Sequence, residues 1–153
     1  MKKVLLVFAV AMFGLMMFGC ASTQSADVKA APAYTFVIQP SADSVFEVAG
    51  GEKVTIKTGE TLKKALMDEY KGQATFVDGM TGPAGAIIVE PRATSIWKRG
   101  PIVKEGVATG YINNQFVAGY FGEFDGEVSA ADAKTKVEGA AANWAKNVRQ
   151  LVP

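Results

Sequence analysis

Between residues 34 and 121 the chain reads mostly as short runs in which aromatic and β-branched residues alternate with polar ones. It switches twice to the spacing of a helix. Residues 34–38 (Tyr-Thr-Phe-Val-Ile) form a β-rich run stopped by Pro40, residues 44–48 form a second ended by Gly50-Gly51, and residues 53–57 alternate as a strand with one wet face. Thr58-Gly59 then opens a helix with Leu62, Ala65, Leu66 and Tyr70 on one stripe and Lys63, Lys64, Asp68 and Glu69 opposite, closed by Gly72. Residues 74–77 predict a fourth strand. Residues 86–89 are continuously apolar, as in a strand inside a sheet, and Pro91 should bend or bulge it before residues 93–98 continue at an edge. Residues 106–112 and 115–121 flank Asn113-Asn114, a two-residue turn that tolerates positive φ, and its register sets Tyr111 opposite Phe116, Thr109 opposite Ala118 and Val107 opposite Tyr120. Ser129 is an N-cap with Asp132 three residues on, and Val137, Ala141, Trp144, Val148 and Leu151 then fall on one stripe of a last helix. This order predicts an α+β fold: a mixed, mostly antiparallel sheet with two helices packed on one face.

The N-terminus follows a different pattern. Lys2 and Lys3 precede an apolar run over residues 4–18, too short to span a bilayer but right for the core of an export signal. It stops at Gly19-Cys20 and gives way to Ala21, Ser22, Thr23, Gln24 and Ser25. Residues 21–33 carry no apolar periodicity and read as a tether, which would reach roughly 40 Å at full extension. The expected organisation is therefore a signal peptide over residues 1–19, Cys20 with its tether to residue 33, and one domain over residues 34–153.

Composition narrows the chemistry. Without Lys2 and Lys3 the chain holds 14 basic and 15 acidic side chains, a balance with no electrostatic footprint for nucleic acid. There is no histidine, which removes Ser-His-Asp triads, Cys-His dyads and His-ligated zinc sites, and a single cysteine removes an internal disulfide. No cofactor or metal is expected.

Other candidate chemistry is thin. The loop over residues 79–85 is glycine-rich but lacks the Lys-Ser/Thr ending of a phosphate-binding loop and precedes a strand, so it reads as a connection. Glu123, Asp125, Glu127 and Asp132 could suggest calcium, but Val128 stands where an EF-hand loop needs glycine and Lys134 where it needs a closing glutamate. Anions beside a helix start are the simpler account. Glu90 is the best single carboxylate for glycoside hydrolysis, without an evident second. Ser95 and Lys98 match a Ser-x-x-Lys string, but on a strand pattern. Trp97, Lys98 and Arg99, ahead of Gly100-Pro101, form the more distinctive cluster: an indole beside two cations, suited to a partner or an anionic head group, or else an edge strand blunted by charge.

A lone cysteine after a signal core and a small residue resembles the bacterial lipoprotein signal, in which that cysteine is diacylated and becomes the mature N-terminus. Met17-Phe18-Gly19-Cys20 keeps the small Gly19 but carries Met17 where leucine is usual and Phe18 where a small residue is usual. The resemblance implies lipid attachment at Cys20. Ala21 in place of the aspartate that signals inner-membrane retention in enteric bacteria implies the outer membrane, with the domain in the periplasm. The element order from residue 62 onward is similar to small α/β domains of envelope-assembly lipoproteins, such as the lipopolysaccharide-assembly lipoprotein and the N-terminal domain of the Tol-Pal periplasmic protein. These implications converge on a non-enzymatic outer-membrane lipoprotein that binds an envelope protein, with Trp97, Lys98, Arg99, Asn113 and Asn114 as its contact surface. The alternative is a small-ligand or glycan binder with a pocket between sheet and long helix lined by Trp144, Tyr111 and Phe116.

Overall fold

The computed structural model describes residues 31–99 and 103–153; the signal segment, Cys20, most of the tether and Gly100-Pro101 lie outside the described residues. In chain order the elements are strands β1 (Tyr34–Ile38), β2 (Ser44–Glu47) and β3 (Lys53–Ile56), helix α1 (Thr58–Glu69), strands β4 (Ala74–Asp78), β5 (Ile87–Arg99), β6 (Val103–Ile112) and β7 (Gln115–Asp125), and helix α2 (Ala130–Leu151). The fold is α+β, as the pattern predicts.

Five strands form a mixed sheet in the order β4-β1-β5-β6-β7. β1 runs parallel to both β4 and β5, while β5, β6 and β7 are antiparallel. β2 and β3 stand apart as a two-stranded ribbon, because three residues in a 3-10 turn (Ala49–Gly51), with Gly50 and Gly51 at φ 74° and 78°, fold them onto each other. The Asn113-Asn114 turn has φ of 46° and 68° and sets the predicted register. Asn113 also accepts from the Ile88 N–H at 2.8 Å through its side chain and donates its own N–H to the Ile88 carbonyl at 2.9 Å, fastening the turn to β5. The ladder shifts register between Pro91 and Ala93, the bulge expected of proline in a strand. Beyond that bulge β5 has a ladder partner only in β6 among the described residues, so residues 93–98 are an edge although β5 is the middle strand.

Both helices lie on one face. Phe36, Ile38, Leu62, Leu66, Tyr70, Val89, Trp144 and Val148 form the main core there, and Val54, Ile56 and Val137 form a second cluster under the β2–β3 ribbon. Burying each such large side chain is worth about 1.5–3 kcal/mol. Three glycines let α2 sit very close to the sheet. A Cβ at Gly106 would lie 2.2 Å from the Lys136 carbonyl oxygen, one at Gly119 2.2 Å from that of Ala140, and one at Gly139 2.3 Å from the Phe121 ring. Ser129 caps α2, its hydroxyl oxygen accepting from the Asp132 N–H at 3.2 Å. Leu151 is exposed, contrary to its place on the predicted stripe: the last turn is still at the core, but there Val148 and Val152 face it and Leu151 turns outward. No helix among the described residues is long and apolar enough to cross a membrane.

Candidate functional site

Because side chains alternate across a strand, the face opposite the helices is fixed by the register. Val117, Gly110 and Gly119 point toward Trp144 and the core. Tyr111, Phe116 and Tyr120 therefore point the other way, with Val107, Thr109, Ser95 and Trp97. No element covers this part of the sheet among the described residues. Phe116 is 56% exposed, Trp97 53% and Tyr120 45%. The Trp97 and Tyr120 rings lie 6.3 Å apart between centroids and within 25° of parallel, and Tyr111 meets Phe116 edge-to-face at 5.4 Å. The Arg92 guanidinium lies 5.1 Å from the Tyr111 ring centroid and is paired with Glu90 at 2.8 Å, so an ion pair borders the Tyr111 end of the aromatic strip, while Glu105, opposite Trp97, lies buried on the same face at the other end. Toward β1 the face is closed: the loop that precedes β5 folds over Val37, and a Cβ at Gly82 would lie 2.4 Å from a Val37 methyl.

The structure separates the contact residues suggested by sequence. Trp97 stands on the open face. Lys98, next along the strand, points to the opposite side, lining a hollow of about 410 Å³ with Phe46, Glu47 and Glu127. Arg99 ends β5 with its side chain outside the described residues. Asn113 is occupied by Ile88, Asn114 is exposed at the hairpin tip, and both lie roughly 30 Å from Trp97 by strand rise. They do not form one surface. The pocket expected between Trp144, Tyr111 and Phe116 does not exist, because Trp144 is fully buried under the helix face and the other two rings are on the reverse. Tyr120 and Arg92 were missed as contact residues. The hairpin register, which sets Tyr120 opposite Val107, already puts it on the same side as Tyr111, and the glycines at 106, 110 and 119 mark the side that a helix approaches.

The remaining candidates have structural occupations. Glu90 is held by Arg92. Ser95 donates to the Ile96 carbonyl at 3.3 Å and, three residues away on a strand, faces away from Lys98. The Asp132 carboxylate accepts from the Ser129 hydroxyl at 2.7 Å. No group of three or more Cys, Asp or Glu side chains that could hold a metal ion occurs among the described residues.

A second feature is a hollow of about 500 Å³ at the carboxyl ends of β1 and β4, lined by Gln39, Ser41, Asp43, Lys57, Lys63 and Asp78. Its lysines are already neutralised, Lys57 by Glu60 at 2.9 Å and Lys63 by Asp78 at 2.7 Å.

No protein-family model matches the chain, and no curated protein matches it. One solved structure, described only as the crystal structure of an uncharacterized protein, is similar over 78% of this chain and 90% of its own, at 13% identity and a TM-score of 0.40.

Proposed function

We propose that the protein is an outer-membrane lipoprotein, anchored through acyl chains on Cys20, whose periplasmic domain docks an envelope protein on its open sheet face without chemistry of its own. The observation that carries this reading is the strip of half-exposed aromatic rings, Trp97, Tyr120 and Phe116, on a face that nothing covers among the described residues. Aromatic side chains supply large contact area at small entropic cost and dominate the energetics of protein interfaces. The tether would keep the domain near membrane-bound partners, so a weak contact would still be occupied.

Two experiments test it. Cys20→Ser should move the protein from the membrane pellet to the soluble fraction; retention in the membrane would mean that the apolar N-terminal segment, not lipid, is the anchor. A photo-crosslinker at position 97 or 120 should capture a discrete envelope protein that the same group at Lys134, exposed on α2, does not, and Trp97→Ala with Tyr120→Ala should weaken that capture at least tenfold.

The near-parallel Trp97–Tyr120 pair also suits the C–H face of a sugar ring, which supports the alternative glycan-binding reading. Saturable quenching of Trp97 fluorescence by purified glycan strands, with no protein captured, would replace the first reading with the second.

A further inference from the structure

The two edges of the five-stranded sheet are treated differently. On β7, Asn143 donates to the Tyr120 carbonyl at 2.7 Å and Asn147 to the Ala118 carbonyl at 2.8 Å. The match is geometric. Four residues of helix rise about 6.0 Å and two residues of strand about 6.8 Å, so one face of α2 can cap alternate outward carbonyls of the edge. On β4, every backbone hydrogen bond among the described residues is made toward β1, and Thr75 and Val77 are exposed. An unpaired row of N–H and C=O groups is a template for another strand.

We propose that the free edge of β4 pairs with the same edge of a second copy, antiparallel about Phe76, to give a continuous ten-stranded sheet. Joining two sheets edge to edge about a two-fold axis requires the antiparallel sense, so the register can be checked residue by residue. Centred on Phe76, it sets Thr75 opposite the other copy's Val77 and Ala74 opposite its Asp78, with the two Phe76 rings facing each other. No like charges are opposed, β-branched residues meet across the open face, and Asp78 is already balanced by Lys63. Phe76 stacks on Phe36 at 5.4 Å and 8° and is only partly buried, which leaves its outer side for the second ring. The strand has no proline or bulge to resist addition. Five residues span about 17 Å and bury far less than the roughly 800 Å² per partner of a stable interface, so the association is weak and concentration-dependent. The inference does not depend on what the aromatic face binds.

The test uses the full-length chain with Cys20→Ser in mild detergent, so that introduced thiols are the only ones. Mild oxidation should join Thr75→Cys/Val77→Cys into disulfide-linked dimers, because the opposed positions lie within disulfide reach, but leave either single variant mostly monomeric, its two thiols being diagonal at about 7–8 Å. Sedimentation should show reversible dimerisation, and Thr75→Lys/Val77→Lys, both at exposed sites, should raise its dissociation constant at least tenfold with the circular dichroism spectrum unchanged. Trp97→Ala/Tyr120→Ala should leave it unaltered. A monomer at every concentration, equal linking of a single cysteine variant, or loss of the dimer in the aromatic pair rather than in the β4 pair would each overturn the proposal.

Discussion

At Gly119 the absence of a side chain is a structural requirement. Its Cβ would lie 2.2 Å from the Ala140 carbonyl oxygen and 2.3 Å from the Trp144 nitrogen, both helix backbone that cannot step aside without moving α2 off the sheet. Gly119→Ala should therefore destabilise the fold by about 2–3 kcal/mol, in the range of overpacked cores, whereas Gly126→Ala meets no atom within 4 Å and should cost only the strain of its positive φ; urea denaturation of the two variants makes the comparison. Tyr70 gives a pH-dependent prediction. Burial, the largest cause, pushes its hydroxyl above the ordinary 10.0, and the Arg149 guanidinium, 4.2 Å from the ring centroid, partly offsets this. The folded protein thus holds the phenolic proton to higher pH than the unfolded chain does. The contribution is complete below about pH 10 and is lost as pH rises through the folded value. Stability measured from pH 8 upward should fall above pH 10, and Tyr70→Phe should flatten that fall while costing about 1 kcal/mol near neutrality through loss of the 2.7 Å bond to the Val152 carbonyl.

Among the elements, α2 contributes most: it roofs the main core, closes the second cluster through Val137, and caps the edge of β7. Asn143→Ala/Asn147→Ala removes both edge donors while leaving the buried stripe of the helix intact. The expected result is a loss of about 1–2 kcal/mol in denaturant unfolding and faster amide exchange along β7, with a new tendency to aggregate at high concentration. Unchanged exchange in β7 would show that the two asparagines only decorate the edge. The elements themselves were legible because each carries its own local signal: Asn113-Asn114 for the hairpin, Ser129 for the start of α2, and Pro91 for the bulge. Pairing was less legible. Nothing local indicates that β1 adds in parallel between β4 and β5 while β2 and β3 leave the sheet, since that choice is made by packing between distant segments.

For the whole molecule, the sequence pattern carried the layer arrangement, two helices on one face, but not the identity of the face left open. Alternation says that Tyr111, Phe116 and Tyr120 share a side; only the docking of α2 onto Gly106 and Gly119 decides that, among the described residues, this side is the uncovered one. The sequence sets Trp97 and Lys98 in one chemical cluster, and the strand splits that cluster because adjacent residues point apart. The surface that results is aromatic, with the Glu90–Arg92 ion pair at its Tyr111 end, and Lys98 of the string Trp-Lys-Arg lies on the other side of the sheet.

The glycines under α2 also constrain how far such a chain could diverge while keeping its shape. Two strand positions, 106 and 119, and one helix position, 139, set the spacing between layers, so a substitution at any of them could be absorbed only by displacing the roof as a unit. Distant relatives of the same build should then be recognisable by bare backbone at these three points, even where almost every other side chain has been exchanged.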